Sequence, residues 1–395
     1  MKRLVAVLLI LPLVFVSQYA GAAPKPVAAK EMVAINLATP ISANTKMHIL
    51  GSSIVLLNDS TIWAIGADGI EKWRLALTQG AASIATALMA DSAGNIWVVG
   101  SSANIPLDAP NSIPTTPPIN PDNVVVAPKV PTRSDLTVAT VWKVSGAGQL
   151  LSTYSLDVKS ALLVNSIAVN SKGFTLGGMR ATDKGNSGFL ISSTLEGVFA
   201  APINLGTTDT NIDAVIRGTD SSIYAIGNST ETLAGKKRVG LRDGIIAKYS
   251  SAGKLSLLVR SSASKATREW NSATNSLFLT GYVQTGKRVE SALTKFATNL
   301  SPTWTFRFAS TGATIAALGL RGTHFAVFAS KSAVKGVSNW KPSRPTPLLL
   351  TFNSKGALTA ANSATGVPIA LGYSKDLGVV LMTSSQTAVS IFRLT

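Results

Sequence analysis

Seven short runs share one hydrophobic grammar, an apolar stretch rich in β-branched and aromatic residues, most of them closing on glycine or alanine: IVLLN, IWVVG, FTLGG, IYAIG, LFLTG, FAVFA and GVVLM. The later run ends, Gly177, Gly227, Gly281, Ala329 and Met382, follow one another at about 50 residues, which marks repeated supersecondary units. The stretch 212–260 shows the full unit: IDAVIRG, the turn TDS, SIYAIG, a polar stretch, GIIAKYS, the turn SAG and KLSLLVR. Alternating Ile, Val, Tyr and Leu predict four strands joined by two tight turns and one long loop, with Gly253 at a positive φ.

The same pattern predicts complete units at 46–77, 84–156, 163–205, 212–260, 266–308 and 314–364. A last unit, 367–394, holds only three strands, VPIALGY, LGVVLMT and AVSIFRL. The missing strand is available at 31–38, where MVAINLA can pair beside 389–394. A chain whose two ends share one unit closes into a ring. The expected fold is therefore all-β: a seven-bladed β-propeller of four-stranded antiparallel blades, one domain over 23–395, closed by its N-terminal strand. Ring closure buries both apolar faces of every blade. An open solenoid would need polar caps at both ends and would leave the odd strands unexplained.

The segments GIIAKYSSAGKL and IDAVIRGTDSSIYAIGNST resemble the bacterial SBBP or NHL-type propeller repeat, and the resemblance extends over nearly all of the mature chain. It implies a scaffold and names no ligand. In the first unit AIGADGIEKW is similar to a PQQ-like repeat, with Gly69 and Trp73 in the turn-tryptophan arrangement. The other units lack that pattern, and Trp304 follows no comparable glycine turn, so no quinone and no other cofactor is expected.

Hydrophobic residues make up 46% of the 395 and charged residues 14%, enough for a large core. Lys2 and Arg3 precede an apolar run at 4–16, and Ala20-Gly21-Ala22 follows, which predicts a secretory signal over 1–22 and an extracytoplasmic protein, periplasmic, secreted or at the cell surface. That run is broken by Pro12 and falls short of the roughly 20 residues a spanning helix needs, and no membrane span is expected after cleavage. The absence of cysteine excludes thiol catalysis, zinc-thiolate sites and lipid attachment through cysteine.

No catalytic or metal-binding residue is assigned. His48 and His324 fall in predicted strands, and Gly-x-Ser-x-Gly does not occur. The stretch 209–213 imitates a calcium loop, but Ala214 takes the glycine position and Asp220 stands for the terminal glutamate. ADSAGNIW approximates a sialidase Asp box, with its glycine one residue late after Asp91. Paired carboxylates need no proximity in sequence, so a propeller hydrolase or lyase acting on a surface glycan is the alternative function.

Charge sharpens the expectation. The formal net charge is +17, and +15 without Lys2 and Arg3. In an antiparallel blade the long segments after the second strand all emerge on one face. They carry Arg180 and Lys184; Lys236, Lys237, Arg238 and Arg242; Lys287 and Arg288; and Lys331, Lys335, Lys341 and Arg344, against Asp183, Glu231, Asp243 and Glu290. That face is expected to bind an anionic polymer or acidic protein partner without catalysis, the ring acting as a monomer. Trp340, inside SNWKPSRPTP, is read either as a stacking residue for a sugar or base or as a residue buried against a blade edge. The loop 101–137, with eight prolines between Pro106 and Pro131, is read as a passive extended insertion or as a partner-contacting arm, which leaves a purely structural scaffold as a further reading.

Overall fold

The structure, a computed structural model, describes residues 25–77, 81–106, 134–312, 314–385 and 388–394. The expected signal at 1–22 and most of the Pro-rich insertion lie outside the described residues.

The chain folds as an all-β propeller. Blade one is Lys46–Leu50, Ser53–Asn58, Thr61–Ile65 and Glu71–Ala76; blade two runs from Ala81–Ala90 to Leu150–Asp157, and blade three from Leu162–Asn170 to Ile203–Leu205. Blade four runs from Thr210–Arg217 to Leu255–Ser261 and blade five from Thr267–Ala273 to Pro302–Ala309. The closing blade is Val367–Ser374, Gly378–Ser384 and Val389–Arg393 with Val33–Ile35 antiparallel beside the last. Among the described residues these are six four-stranded antiparallel blades, where seven were expected.

The sheet over 315–363 departs from the expected uniform set of four-stranded blades. Its four antiparallel strands, Ile315–Leu318, His324–Ser330, Thr346–Phe352 and Leu358–Ser363, are joined by Val27–Glu31, which lies parallel to the outer strand, and by Val337–Ser338, giving six. The expected closing strand at 31–38 is likewise shorter than its sequence run. Only Val33–Ile35 pairs in the closing blade, while the residues before Met32 use their backbone groups on the open edge of the neighbouring sheet. An unpaired edge is a standing template for another strand, and the chain's own N-terminal segment covers this one.

Each innermost strand touches the innermost strand of the next sheet, and the closing blade returns to blade one. Apolar cores lie between neighbouring sheets; Trp97, Val99, Phe174 and Phe189, for example, come from blades two and three. Second strands are covered on both faces, so Ile54, Val55, Leu56 and Leu57 are all fully buried and read as a continuous apolar run. Outer strands keep the exposed and half-buried alternation of a one-sided surface, as in Glu71–Ala76.

The inner strands carry a second repeat that periodicity does not reveal. Their pairing slips by one residue at Thr86, Asn165, Asp213, Asn271 and Ile369, a β-bulge opposite the end of the second strand. The bulge pushes a carbonyl against the glycine that closes the run: Asn211 against Gly227 and Glu269 against Gly281, leaving no room for a β-carbon. The recurrent closing glycine is thus a packing requirement.

Candidate functional site

Two of the four expected long loops are tight hairpins instead. In blade three the ladder continues to Thr182 opposite Gly185, and in blade five to Thr285 opposite Arg288, so only two residues turn in each. Polar side chains disguised these stretches as loops, because the strand ends project beyond the core into solvent. The irregular basic segments after the second strands are 230–242 in blade four and 331–345 in the six-stranded sheet.

The blade-four segment is built on acids and arginines that serve structure. Leu233 is buried and anchors a turn in which Lys236 N donates to Leu233 O at 2.9 Å. Asp243, with a fully buried side chain, accepts from the amides of Val239 at 3.0 Å and Gly240 at 2.9 Å and from Arg260 Nη1 at 3.1 Å. Arg260 also donates to the carbonyls of Lys236, at 3.2 Å, and Glu231. Burial works against the charge of Glu231, yet donation from Asp209 N, the Thr210 hydroxyl and Thr207 N holds it down at about 2. With its acids turned inward, the segment presents Lys236, Lys237 and Arg238 to solvent; Arg238 also donates to Leu241 O at 3.2 Å.

In the 331–345 segment Val334 and Trp340 are the anchors. Trp340 is only 7% exposed and packs in the core with Phe328 and Leu348. Its reading as a stacking platform for a ligand is corrected: the indole fills the hydrophobic interior, and burial against the blade is what the structure has. Around it Lys331, Lys335, Lys341 and Arg344 are exposed. The N-terminal strand pairs with Val337–Ser338 in this segment and brings exposed Lys25 and Lys30 to the same sheet edge, an addition that only the unforeseen strand placement creates.

Lys184 and Lys287 are exposed at the two hairpin tips. Arg180 is half-buried on its strand, with an unpartnered Nε. Arg288 is held by Glu290 at 2.6 Å. Among the described residues none of Lys184, Lys236, Lys237, Lys287, Lys331, Lys335, Lys341 and Arg344 forms an ion pair.

Arg242 is used differently from the exposed cations. It reaches Asp209 at 2.5 Å, Asn228 Oδ1 at 2.7 Å and, through Nε, Glu269 Oε1 at 3.7 Å. Asn228 and Asn211 donate in turn to Asp213, at 2.9 and 2.6 Å, and Asn165 of blade three donates to Asn211 at 2.9 Å. Burial first, and the Glu269 charge second, push Asp213 up to about 7. In the calcium-like stretch a guanidinium meets Asp209 and two side-chain amides meet Asp213. Sequence reading missed Asp213 and Glu269 as neighbours because they lie on the inner strands of different blades; the polar run NID within a strand was the available signal.

The central channel is lined by the innermost strands, with Met47, Leu88, Ile167, Val215 and Leu371 among its walls and cavities of about 400 and 470 Å³. Among the described residues neither cavity is lined by an aspartate or glutamate. Asp91, in the approximate Asp box, is occupied by its own turn, accepting from Trp97 Nε1, Asn95 N and Ala93 N at 2.9 Å each. His48 and His324 both lie in strands, as expected, and burial pushes each down to about 4.

No protein-family model and no curated protein sequence matches the chain. Among solved structures it is similar to BBS1N in complex with ARL6DN (TM-score 0.50, 9% identity, covering 93% of this chain and 98% of that one). It is also similar to the Neurospora crassa Pan2 WD40 domain (TM-score 0.50, 9% identity, covering 90% and 89%). These likenesses show the propeller fold. No helix among the described residues is long and apolar enough to cross a membrane.

Proposed function

We propose that the chain is an exported, non-enzymatic binding module that takes an anionic polymer or acidic protein surface onto its basic loop face. One observation carries this reading: among the described residues Lys184, Lys236, Lys237, Lys287, Lys331, Lys335, Lys341 and Arg344 are exposed and lack ion pairs, while Glu231 and Asp243 accept structural bonds. A field of unneutralised lysines attracts polyanions and steers their approach. The likeness to BBS1N, solved with ARL6DN, supports a partner-binding role for the scaffold. Secretion and an SBBP or NHL-type origin belong to this proposal as well.

Binding to heparin and to polyglutamate, measured by calorimetry at rising salt, tests it. The affinity should fall steeply as the Debye length contracts from about 10 Å at 0.1 M. Charge reversal at Lys236, Lys237 and Arg238 should weaken it by about tenfold or more. Salt-insensitive binding, or binding unaffected by the reversal, sinks the proposal.

A glycan hydrolase has one observation in its favour, Asp213 held near 7 beside Glu269. Turnover of chromogenic glycosides that disappears in Asp213→Asn would establish it.

A further inference from the structure

Arg268 is a buried cation without a counter-ion. It sits on the innermost strand of blade five, is 5% exposed, and its Nη1 is buried with no hydrogen-bond partner. Among the described residues no carboxylate pairs with it, and its one close partner is the Trp270 ring, 3.7 Å from the guanidinium carbon. Burial, followed by the charge of Arg307, pushes it down to about 9, so it is still charged at neutral pH. An unpaired charge in a protein interior is strongly disfavoured unless something meets it.

Arg268 also lines a cavity of about 240 Å³ between blades four and five. Arg260, Arg307, Thr294, Thr305, Ser261 and Ser262 share the lining, so among the described residues the walls carry three guanidinium groups and four hydroxyls and no carboxylate. The nearby acids are held by two of these guanidinium groups, which leaves Arg268 as the one without a carboxylate among the described residues. Asp243 is held by Arg260 at 3.1 Å, and Glu290 meets Arg288 at 2.6 Å and Arg307 at 3.7 Å. The space is several times the roughly 30 Å³ share of one water molecule. Guanidinium forks and hydroxyls converging in a partly dry site are the donor set that recognises phosphate and sulfate.

We propose that this inter-blade cleft binds a tetrahedral oxyanion of the phosphate or sulfate class, with Arg268 as the buried anchor, Arg307 as the rim cation and the mutually bonded Thr294–Thr305 hydroxyl pair, 3.1 Å apart, supplying one hydroxyl donor. The site is separate from the basic loop face and stands whether or not that face binds polyanions.

Titration calorimetry of the full chain with inorganic phosphate, inorganic sulfate and phenyl phosphate, each against sodium chloride at equal ionic strength, tests the proposal. The wild-type chain should show saturable binding. Arg268→Met should weaken it by about tenfold or more, since it deletes a charge-assisted fork. Should that variant fail to fold, Arg307→Ala and Thr305→Val read the same loss from the rim and the wall. The triple charge reversal at Lys236, Lys237 and Arg238 should leave it intact, which separates this cleft from the loop face. Tighter phenyl phosphate identifies an esterified group on a larger ligand, and tighter inorganic ion identifies the free anion; either supports the site. Absence of saturable binding to the wild-type chain overturns it, as does equal binding by a folded Arg268→Met chain. Generic salting-out by phosphate or sulfate would raise the stability of both chains alike and so cannot imitate the expected difference.

Discussion

The α-carbon of Gly227 lies against the backbone carbonyl of Asn211, and a β-carbon there would fall far inside van der Waals contact. Ile212 pairs with Gly227 and Ala214 with Ile226, so the contact is imposed by the bulge at Asp213. One local backbone feature therefore explains both a repeated glycine and the placement of a carboxylate at the inner strand.

Gly227→Ala and Gly281→Ala should each destabilise the ring by about 1–3 kcal/mol, because backbone must shift to admit the methyl group. Gly312, whose added β-carbon would meet nothing within 4 Å, is the control, and its alanine variant should stay within about 0.5 kcal/mol. Urea denaturation of the three variants decides this; equal stabilities would remove the steric account.

Breaking the Arg260–Asp243 pair should be severe, since the side chains are 7% and 0% exposed. Asp243→Asn leaves a buried guanidinium uncompensated, and a loss of about 3–5 kcal/mol is expected. Hydrogen exchange should quicken at the amides of Val239 and Gly240, which donate to the same carboxylate. Protection unchanged at those amides would show that the pair does not hold the basic segment in place.

Asp213 sets a pH dependence of unusual sign. Its folded value of about 7 lies above the ordinary 3.8, so between these values the folded chain binds the extra proton and stability falls as pH rises. His48 and His324, pushed down to about 4, act oppositely between about 4 and 6.5, where the unfolded chain binds more protons. The two effects are separated by Asp213→Asn, which removes only the falling component. The wild-type chain should lose about 2–4 kcal/mol relative to this variant between pH 4 and pH 8, as read by denaturation at several pH values. Parallel profiles would place Asp213 outside the coupled network.

Trp340→Ala should act on stability rather than recognition. Emptying a core site costs about 3–5 kcal/mol. Heparin affinity, measured well below the melting transition, should be unchanged. A folded variant that loses binding would return the indole to the ligand.

Legibility differed between elements for physical reasons. The second strands were readable because they are covered on both faces, which forces continuous apolar runs such as IVLL and IYAI. The hairpins at 183–184 and 286–287 were misread as long loops because ladder hydrogen bonds use backbone groups and leave no trace in side-chain polarity. Val27–Glu31 was invisible as an edge strand for the same reason: its half-exposed pattern names no partner. Lys236, Lys237 and Arg238 lie exposed in the irregular segment after the second strand of blade four. Arg242, in the same run of sequence, turns inward to Asp209 and Asn228.

Sequence by itself determined the repeat, the all-β class, the ring joined through its two ends and the excess of positive charge. These follow from periodicity and composition, which are local or additive. Tertiary structure alone decided which charges are free and which are spent. Asp243 against Arg260 and Asp209 against Arg242 are outcomes of how the strands of blade four meet, and Arg268 meets no carboxylate among the described residues. Such pairings join residues distant in the chain, and whether a charge has a partner depends on distance and burial that no run of residues encodes on its own.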